Sequence, residues 1–151
     1  MKLSLSHLFS IFGVLFLSGC SAHPLLGYWA FPALEQAWEI DNHGSLTVSS
    51  SYEDAQCTDE GQTLAVQACH QKRQWAISGT LTLNETDMEA YQFAIWKVSA
   101  NVLNGRLDTC SCREQPILYY GVLDGGNLLL FDAKDESRSM VDRGRNQGQA
   151  D

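Results

Sequence analysis

The sequence predicts an all-β protein: an antiparallel meander of about eight strands that forms a small barrel or sandwich, with a short disulfide-tied helical loop. Short runs rich in Trp, Tyr, Val, Ile and Thr alternate apolar with polar residues, as half-buried strands do. Turn sequences containing Gly, Asn or Asp separate these runs. After the first 20 residues, no stretch keeps a helical period.

The first predicted strand covers residues 27–31, and Pro32 ends it because proline lacks the N–H that a sheet requires. A hairpin follows, with strands at 38–40 and 46–48 around the turn at 41–44. Residues 52–73 are polar, charged and rich in cysteine, which interrupts the strand pattern. Their one apolar stretch, 64–66, predicts a short helix held by a disulfide.

A second hairpin is predicted from strands at 75–77 and 81–83 with a turn at 78–80. Residues 91–98 read as a further strand, and Asn104-Gly105 marks a turn before a strand that ends near Cys110. The clearest hairpin comes last, with strands at 117–123 and 128–131 around Asp124-Gly125-Gly126-Asn127. From Lys134 onward the chain is charged and poor in large apolar residues, which predicts a disordered tail.

The N-terminus has the three-region layout of a secretory signal, with Lys2, an apolar run over residues 8–17 and the small residues Ser18 and Gly19 before Cys20. Leu17-Ser18-Gly19-Cys20 resembles the lipobox of bacterial lipoprotein precursors. The resemblance implies that residues 1–19 are removed and that Cys20 is diacylglycerol-modified and N-acylated, with palmitate-like chains. The alternative is an uncut transmembrane helix, but a span needs about 20 apolar residues and this run has about half of that.

The lipoprotein resemblance divides the chain into a signal peptide (1–19), a lipidated tether (20–24), a β-barrel or sandwich domain (25–133) and the tail (134–151). Several acyl chains on Cys20 would hold the protein firmly in its membrane. In that family Ser at the next position, here Ser21, implies the outer membrane. We expect a lipid anchor there with the domain on the periplasmic face.

Charge and chemistry exclude several functions. The chain has 10 Lys and Arg residues against 18 Asp and Glu residues, so we expect no nucleic-acid partner. None of the three histidines after the signal, His23, His43 and His70, stands in a nucleophile motif, so we expect no enzyme and no catalytic residue. No cofactor and no metal site are predicted, because Cys57 lacks the paired spacing of structural zinc ligands.

Four cysteines remain after Cys20: Cys57, Cys69, Cys110 and Cys112. An even number in an exported chain predicts disulfides. On one strand Cys110 and Cys112 would lie about 6 to 7 Å apart, beyond easy disulfide reach, which favours pairing of both with Cys57 and Cys69. The other arrangement, with Cys57 joined to Cys69 and a strained Cys110–Cys112 pair, stays open.

Leu26-Gly27-Tyr28-Trp29 and the two hairpins that follow resemble small lipocalin-like domains, whose G-x-W tryptophan closes one end of a barrel. The resemblance implies that role for Trp29. Residues 86–91 fit the family's T-D-x-x-x-Y motif, and Arg106 or Arg113 would be the arginine that packs on the tryptophan. Aromatic residues would then either fill the core, which a small barrel favours, or line a ligand cavity; the cavity set is Trp29, Trp38, Trp75, Trp96 and Tyr120.

Three functional hypotheses follow. The first is a non-enzymatic lipoprotein that binds an envelope protein partner, as assembly factors and pilotins do. The second, implied by the lipocalin resemblance, is a carrier of a small hydrophobic ligand. The third is a periplasmic thiol or metal protein that uses the four cysteines.

Overall fold

A computed structural model of the chain describes residues 23–50, Cys57, residues 60–135 and residues 139–148. These residues form ten strands and one helix, and strands dominate, as the sequence predicts. The elements are β1 (Gly27–Phe31), β2 (Gln36–Ile40), β3 (Leu46–Ser50), α1 (Glu60–Gln71), β4 (Gln74–Leu83), β5 (Thr86–Ile95), β6 (Val98–Leu103), β7 (Arg106–Cys112), β8 (Ile117–Asp124), β9 (Asn127–Asp132) and β10 (Met140–Gly148).

Eight strands form one antiparallel sheet in the order β3-β2-β1-β10-β9-β8-β5-β4, and β6 pairs with β7 in a separate sheet. The large sheet curls into a half-barrel, which confirms the predicted fold class. Its two edge strands, β3 and β4, meet at one bridge between Ser45 and Gln74. Two backbone bonds support this contact: Leu46 N donates to Arg73 O (3.3 Å) and Trp75 N donates to Gly44 O (3.0 Å).

Twelve buried residues form the core inside the curl, and most are large aromatic or aliphatic side chains. Alternation along β1 and β2 turns Trp29, Phe31 and Trp38 inward, where all three are almost fully buried. The rings of Phe31 and Trp38 lie 4.4 Å apart, and those of Trp38 and Phe93 lie 5.2 Å apart. The core is therefore a continuous aromatic stack across the two halves of the sheet.

The opposite face of the sheet carries a second buried cluster. Leu128 and Leu130 of β9 belong to the core, whereas Leu129 and Phe131 belong to this outer cluster, because successive strand residues point to opposite faces. Ala90 and Val122 complete its buried part, and three half-buried residues pack against it: Leu81, Leu83 and Met88.

The helix, β6 and β7 form a separate disulfide-tied module, here called the disulfide module. Cys57 is bonded to Cys110 and Cys69 to Cys112, so both cysteines of β7 reach across to the helical segment as predicted. The predicted short helix is confirmed as α1. The module's own cluster is small: Cys57, Val66 and Cys110 are buried, with Val98, Ala100 and Leu107 packed against them.

The predicted turn at residues 78–80 is wrong. β4 runs without interruption from residue 74 to 83, with a bulge between Ile77 and Gly79, where Gly79 has φ of 109°. The hairpin turns instead at Asn84 and Glu85, which both have positive φ (49° and 65°). A two-residue loop of this kind matches the twist of the flanking strands. The chain therefore turns there, and Ser78-Gly79-Thr80 stays within β4.

The predicted disordered tail is also wrong for residues 140–148, which form β10 between β1 and β9. Its polar sequence suits this place because few of its side chains have to enter the core. Asp142 faces inward and is buried, and its carboxylate accepts hydrogen bonds from Leu34 N (2.9 Å) and Arg143 N (2.7 Å). Gly144 leaves room for the ring of Phe31.

Candidate functional site

His23, the first described residue, is held against the barrel. The predicted lipidation site Cys20 lies outside the described residues, as does the rest of the segment 1–22. The His23 ring lies 5.5 Å from the Tyr91 ring and 6.1 Å from the Trp75 ring, measured between centroids. Its Nδ1 accepts a hydrogen bond from Leu25 N (3.1 Å). His23 therefore lies against the core-facing side of the β4–β5 hairpin.

Tyr91 is the centre of this contact, which we call the tether clamp: His23, Trp75, Glu89 and Tyr91. The Tyr91 hydroxyl donates to Glu89 Oε2 (2.9 Å) and lies 3.4 Å from His23 Nε2. Burial, the hydrogen bond to Glu89 and the charge of Glu89 raise the pKa of Tyr91 from 10.0 to about 12. The contacts of the Tyr91 ring and hydroxyl therefore connect His23 to Glu89.

Trp29 and Trp38, the first two residues of the predicted cavity set, lie in the core. Trp29 Nε1 donates to Leu25 O (2.8 Å), and Trp38 Nε1 donates to Gln36 Oε1 (2.9 Å). Both side chains are 1 % exposed. Their indoles fill interior space, and their N–H groups are satisfied by neighbours in the chain.

The other three members of that set are only partly buried, and one of them, Trp75, packs against the same core as Trp29 and Trp38. Trp75 is half-buried at the start of β4, and its Nε1 donates to Asp41 O (2.8 Å). Trp96 lies in the two-residue link between β5 and β6. Tyr120 points to the opposite face from Tyr119, whose ring lies 5.9 Å from that of Trp38. The structure therefore does not bring the five aromatic residues together around one space.

The residues of the lipocalin-like motifs are placed as follows. Asp87 stands near the hairpin tip, where Thr82 Oγ1 donates to Asp87 Oδ1, and Tyr91 is buried in the clamp. Arg106 begins β7 and Arg113 follows it, and both side chains are exposed, unlike the buried Trp29.

Arg73 is a buried cation that the sequence reasoning missed. It is 3 % exposed and lies between α1 and β4. Its Nε donates to Trp96 O (3.1 Å) and its Nη1 to Val48 O (3.2 Å). Arg73 therefore links edge strand β3 to the β5–β6 link on the side where the half-barrel is open. The only sequence signal is its position directly before a predicted strand, which does not separate it from surface arginines.

Besides a smaller cleft of about 370 Å³ beside β3 and Arg73, two larger open clefts lie on the described surface. The larger, about 980 Å³, separates the disulfide module from the ends of β8 and β9 and has mixed polar and apolar walls: Ser99, Ser111, Cys112, Arg113, Glu114, Gln115, Pro116, Ile117, Leu118, Tyr119, Asp132 and Lys134. The other, about 600 Å³, lies over β1, β2 and the end of β10. Open clefts with such walls suit contact with a protein surface better than enclosure of an apolar ligand.

Groups for catalysis or metal binding are dispersed over the described residues. His43 is exposed in the turn before β3, and its backbone N donates to Asp41 Oδ1 (2.9 Å). His70 lies in the last turn of α1. The four cysteine sulfurs are in disulfides. Within the described ranges, no three His, Cys, Asp or Glu residues are grouped so that they could hold a metal ion.

No family model, curated protein or solved structure matches this chain. In the part of the chain that the structure describes, no helix has the length and apolar character that crossing a bilayer requires.

Proposed function

We propose that this protein is a lipid-anchored lipoprotein of the bacterial envelope that binds a protein partner and has no enzymatic activity. The observation that carries the proposal is the tether clamp. His23 follows the lipobox cysteine by three residues, and its ring packs on Tyr91 and Trp75. With so short a link, an acylated Cys20 would hold the domain beside the membrane in a restricted orientation.

Exposed apolar side chains support a partner at the surface. Val102 and Leu103, at the tip of the β6–β7 hairpin, are 58 % and 62 % exposed, and Ile77 on β4 is 59 % exposed. Exposed apolar side chains on hairpins can pack into pockets of a partner's surface, and their burial there stabilises the complex.

The filled interior favours partner binding over the carriage of a small hydrophobic ligand. A carrier needs an apolar cavity, whereas Phe31, Trp38 and Phe93 pack in ring contact across the curl. Native mass spectrometry of protein purified from its own cells checks this: we expect the mass of the protein alone. A stoichiometric lipid in repeated preparations would favour the carrier hypothesis.

The anchor is tested by comparing the full chain with Cys20→Ser in cells that make it. We expect the wild-type protein in the outer-membrane fraction with the added mass of acyl chains, and the variant in unprocessed form. Identical fractionation and mass would contradict the lipoprotein proposal. Leu64→Ala serves as the control, because it changes an exposed side chain of α1 and leaves both the lipobox and the disulfides intact.

The partner is tested by chemical crosslinking of the full-length wild-type lipoprotein in intact cells, followed by purification and mass spectrometry. We expect one envelope protein to be enriched over a control with an unrelated lipoprotein. Failure to enrich any protein in repeated experiments would contradict partner binding.

A further inference from the structure

Among the described residues, the outer edge of β4 is unpaired along most of its length. β4 pairs with β5 along its whole length, but on its other side the described residues contribute only the Ser45–Gln74 bridge. From that bridge, β3 continues alongside the end of α1. β4 continues in the opposite direction, so β3 does not pair with the rest of it. Ala76, Thr80 and Thr82 are exposed along this stretch, and so is Ile77.

β4 lacks most of the features that normally protect an edge strand. The one it has, the bulge between Ile77 and Gly79, leaves residues 80–83 in regular register with β5. Proteins block such edges with Lys, Pro or a covering element, since unpaired N–H and C=O groups invite another strand. From Gln74 to Leu83 there is no charged residue and no proline. The other edge strand, β3, has only five residues, contacts α1 and is tied down by Arg73 through Val48 O. The contrast marks β4 as the edge available for pairing.

We propose that β4 binds an extended segment of the partner protein as an additional antiparallel or parallel strand. This inference rests on the proposed partner-binding function and specifies its site. The backbone of β4 would supply the affinity, and side chains at alternate positions would supply the specificity, as in other cases of strand addition.

The two faces of the β4–β5 hairpin indicate which positions of the bound segment should be apolar and which should be polar. Leu81 and Leu83 are half-buried and pack against the outer cluster. A strand added beside them would present every second side chain to the same face, so apolar residues there would extend that cluster. Thr80 and Thr82 line the other face, where polar residues of the segment would remain in water.

The negative charge near the tip of the β4–β5 hairpin indicates which kind of segment can bind to this edge. Glu85, Asp87 and Glu89 are exposed at the tip and on the neighbouring strand, and the whole chain carries a formal net charge of −8. A second copy of this chain would bring the same charges to the same edge, and the bulge at Ile77 and Gly79 bends the edge that two copies would have to share. The fitting occupant is an extended segment with alternating apolar residues and Lys or Arg near the hairpin tip.

The test places a photo-crosslinking amino acid at Thr80 in the full-length lipoprotein and, as a matched control, at Thr47, an exposed threonine on the other edge strand. After irradiation of intact cells, we expect the Thr80 position to capture the partner that the wild-type protein enriches. Peptide mapping should place the crosslink in one segment with alternating apolar residues and a basic residue. The Thr47 position should not capture it.

Thr80→Lys provides an independent measurement, because it adds charge to the open edge and repels a basic segment. We expect at least a tenfold loss of partner binding, with an unchanged thermal unfolding midpoint, and no loss for Thr47→Lys. Equal binding by both variants, or capture of a second copy at Thr80, would overturn the edge inference while partner binding stands. If the wild-type protein enriches no partner, the proposed function itself fails.

Discussion

The curled sheet and the disulfide module stabilise themselves in different ways. The sheet encloses twelve buried core residues with aromatic rings in contact. The module has three buried residues in its cluster, and two of them are cysteines. Burial of apolar side chains is the main stabilising contribution in folding, so a region with so little of it needs another source of stability.

The two disulfides supply that source in the module. They close separations of 53 and 43 residues, and both end on β7. Cross-links over long loops stabilise a fold by restricting the unfolded chain. The comparison teaches that the exported, oxidising setting expected from the lipobox matters for the module, whereas the sheet depends on its packing.

The largest effect should come from the aromatic core. Trp38→Ala removes the ring that contacts Phe31, Phe93 and Tyr119, and we expect a loss of about 3–5 kcal/mol in the free energy of unfolding. Urea denaturation followed by circular dichroism measures it. Leu64→Ala, at a side chain of α1 that is 76 % exposed, should cost little. Similar losses of unfolding free energy in both variants would contradict the view that the aromatic core stabilises the sheet.

Removal of one cross-link should act locally. For Cys57→Ser combined with Cys110→Ser, we expect a loss of about 2–4 kcal/mol concentrated in the module. Hydrogen exchange should then accelerate at the amides of β6 and β7. The indole N–H of Trp29, bonded to Leu25 O in the core, should stay protected. Faster exchange of that indole to the same degree would show that the two regions unfold as one unit.

A methyl group at residue 144 tests how tightly the core meets β10. A Cβ on Gly144 would lie 2.6 Å from Phe31 Cζ, so Gly144→Ala should cost about 1–3 kcal/mol through overpacking. Thermal or urea unfolding measures the change. In a double-mutant cycle with Phe31→Leu, the cost of the added methyl should shrink, because the ring it meets is gone. An unchanged cost would place the clash elsewhere.

The smallest effect should come from the tether clamp. Tyr91→Phe removes the hydroxyl that bonds to Glu89, at a cost of about 0.5–1.5 kcal/mol. Because the pKa of Tyr91 is raised from 10.0 in the unfolded chain to about 12, its contribution is present below pH 10 and is lost as the pH rises through 12.

The pH dependence of this clamp is measured by urea denaturation on both sides of pH 10. Wild-type stability should fall more steeply than that of Tyr91→Phe as the pH rises toward 12, and a late phase of phenolate absorbance should disappear in Tyr91→Phe. Parallel pH profiles for the two proteins would contradict the assignment of the raised pKa to Tyr91.

Much of the fold could be predicted because its signals are local. Alternation located the strands around Trp29, Trp38 and Val122, and Gly or Asn marked the turns at 41–44, 104–105 and 125–126. The spacing of Cys110 and Cys112 also favoured the observed disulfide pattern. The candidate site was harder to predict from the sequence, because the tether clamp joins His23 to Tyr91, 68 positions away, and no short sequence pattern links them.

The sequence by itself determined the all-β class and most of the turns, and it favoured pairing of Cys110 and Cys112 with Cys57 and Cys69, because alternation, turn chemistry and side-chain reach act over a few residues. The structure decided which cysteine pairs with which. Only the tertiary structure decided that the polar segment 140–148 is a strand, since its place depends on β1 and on Leu34 N, 108 residues away from Asp142. It also decided that Arg73 is buried at the open side of the half-barrel and that, among the described residues, β4 is paired along its length on one side only. These features depend on which distant strands become neighbours, and no local preference encodes that.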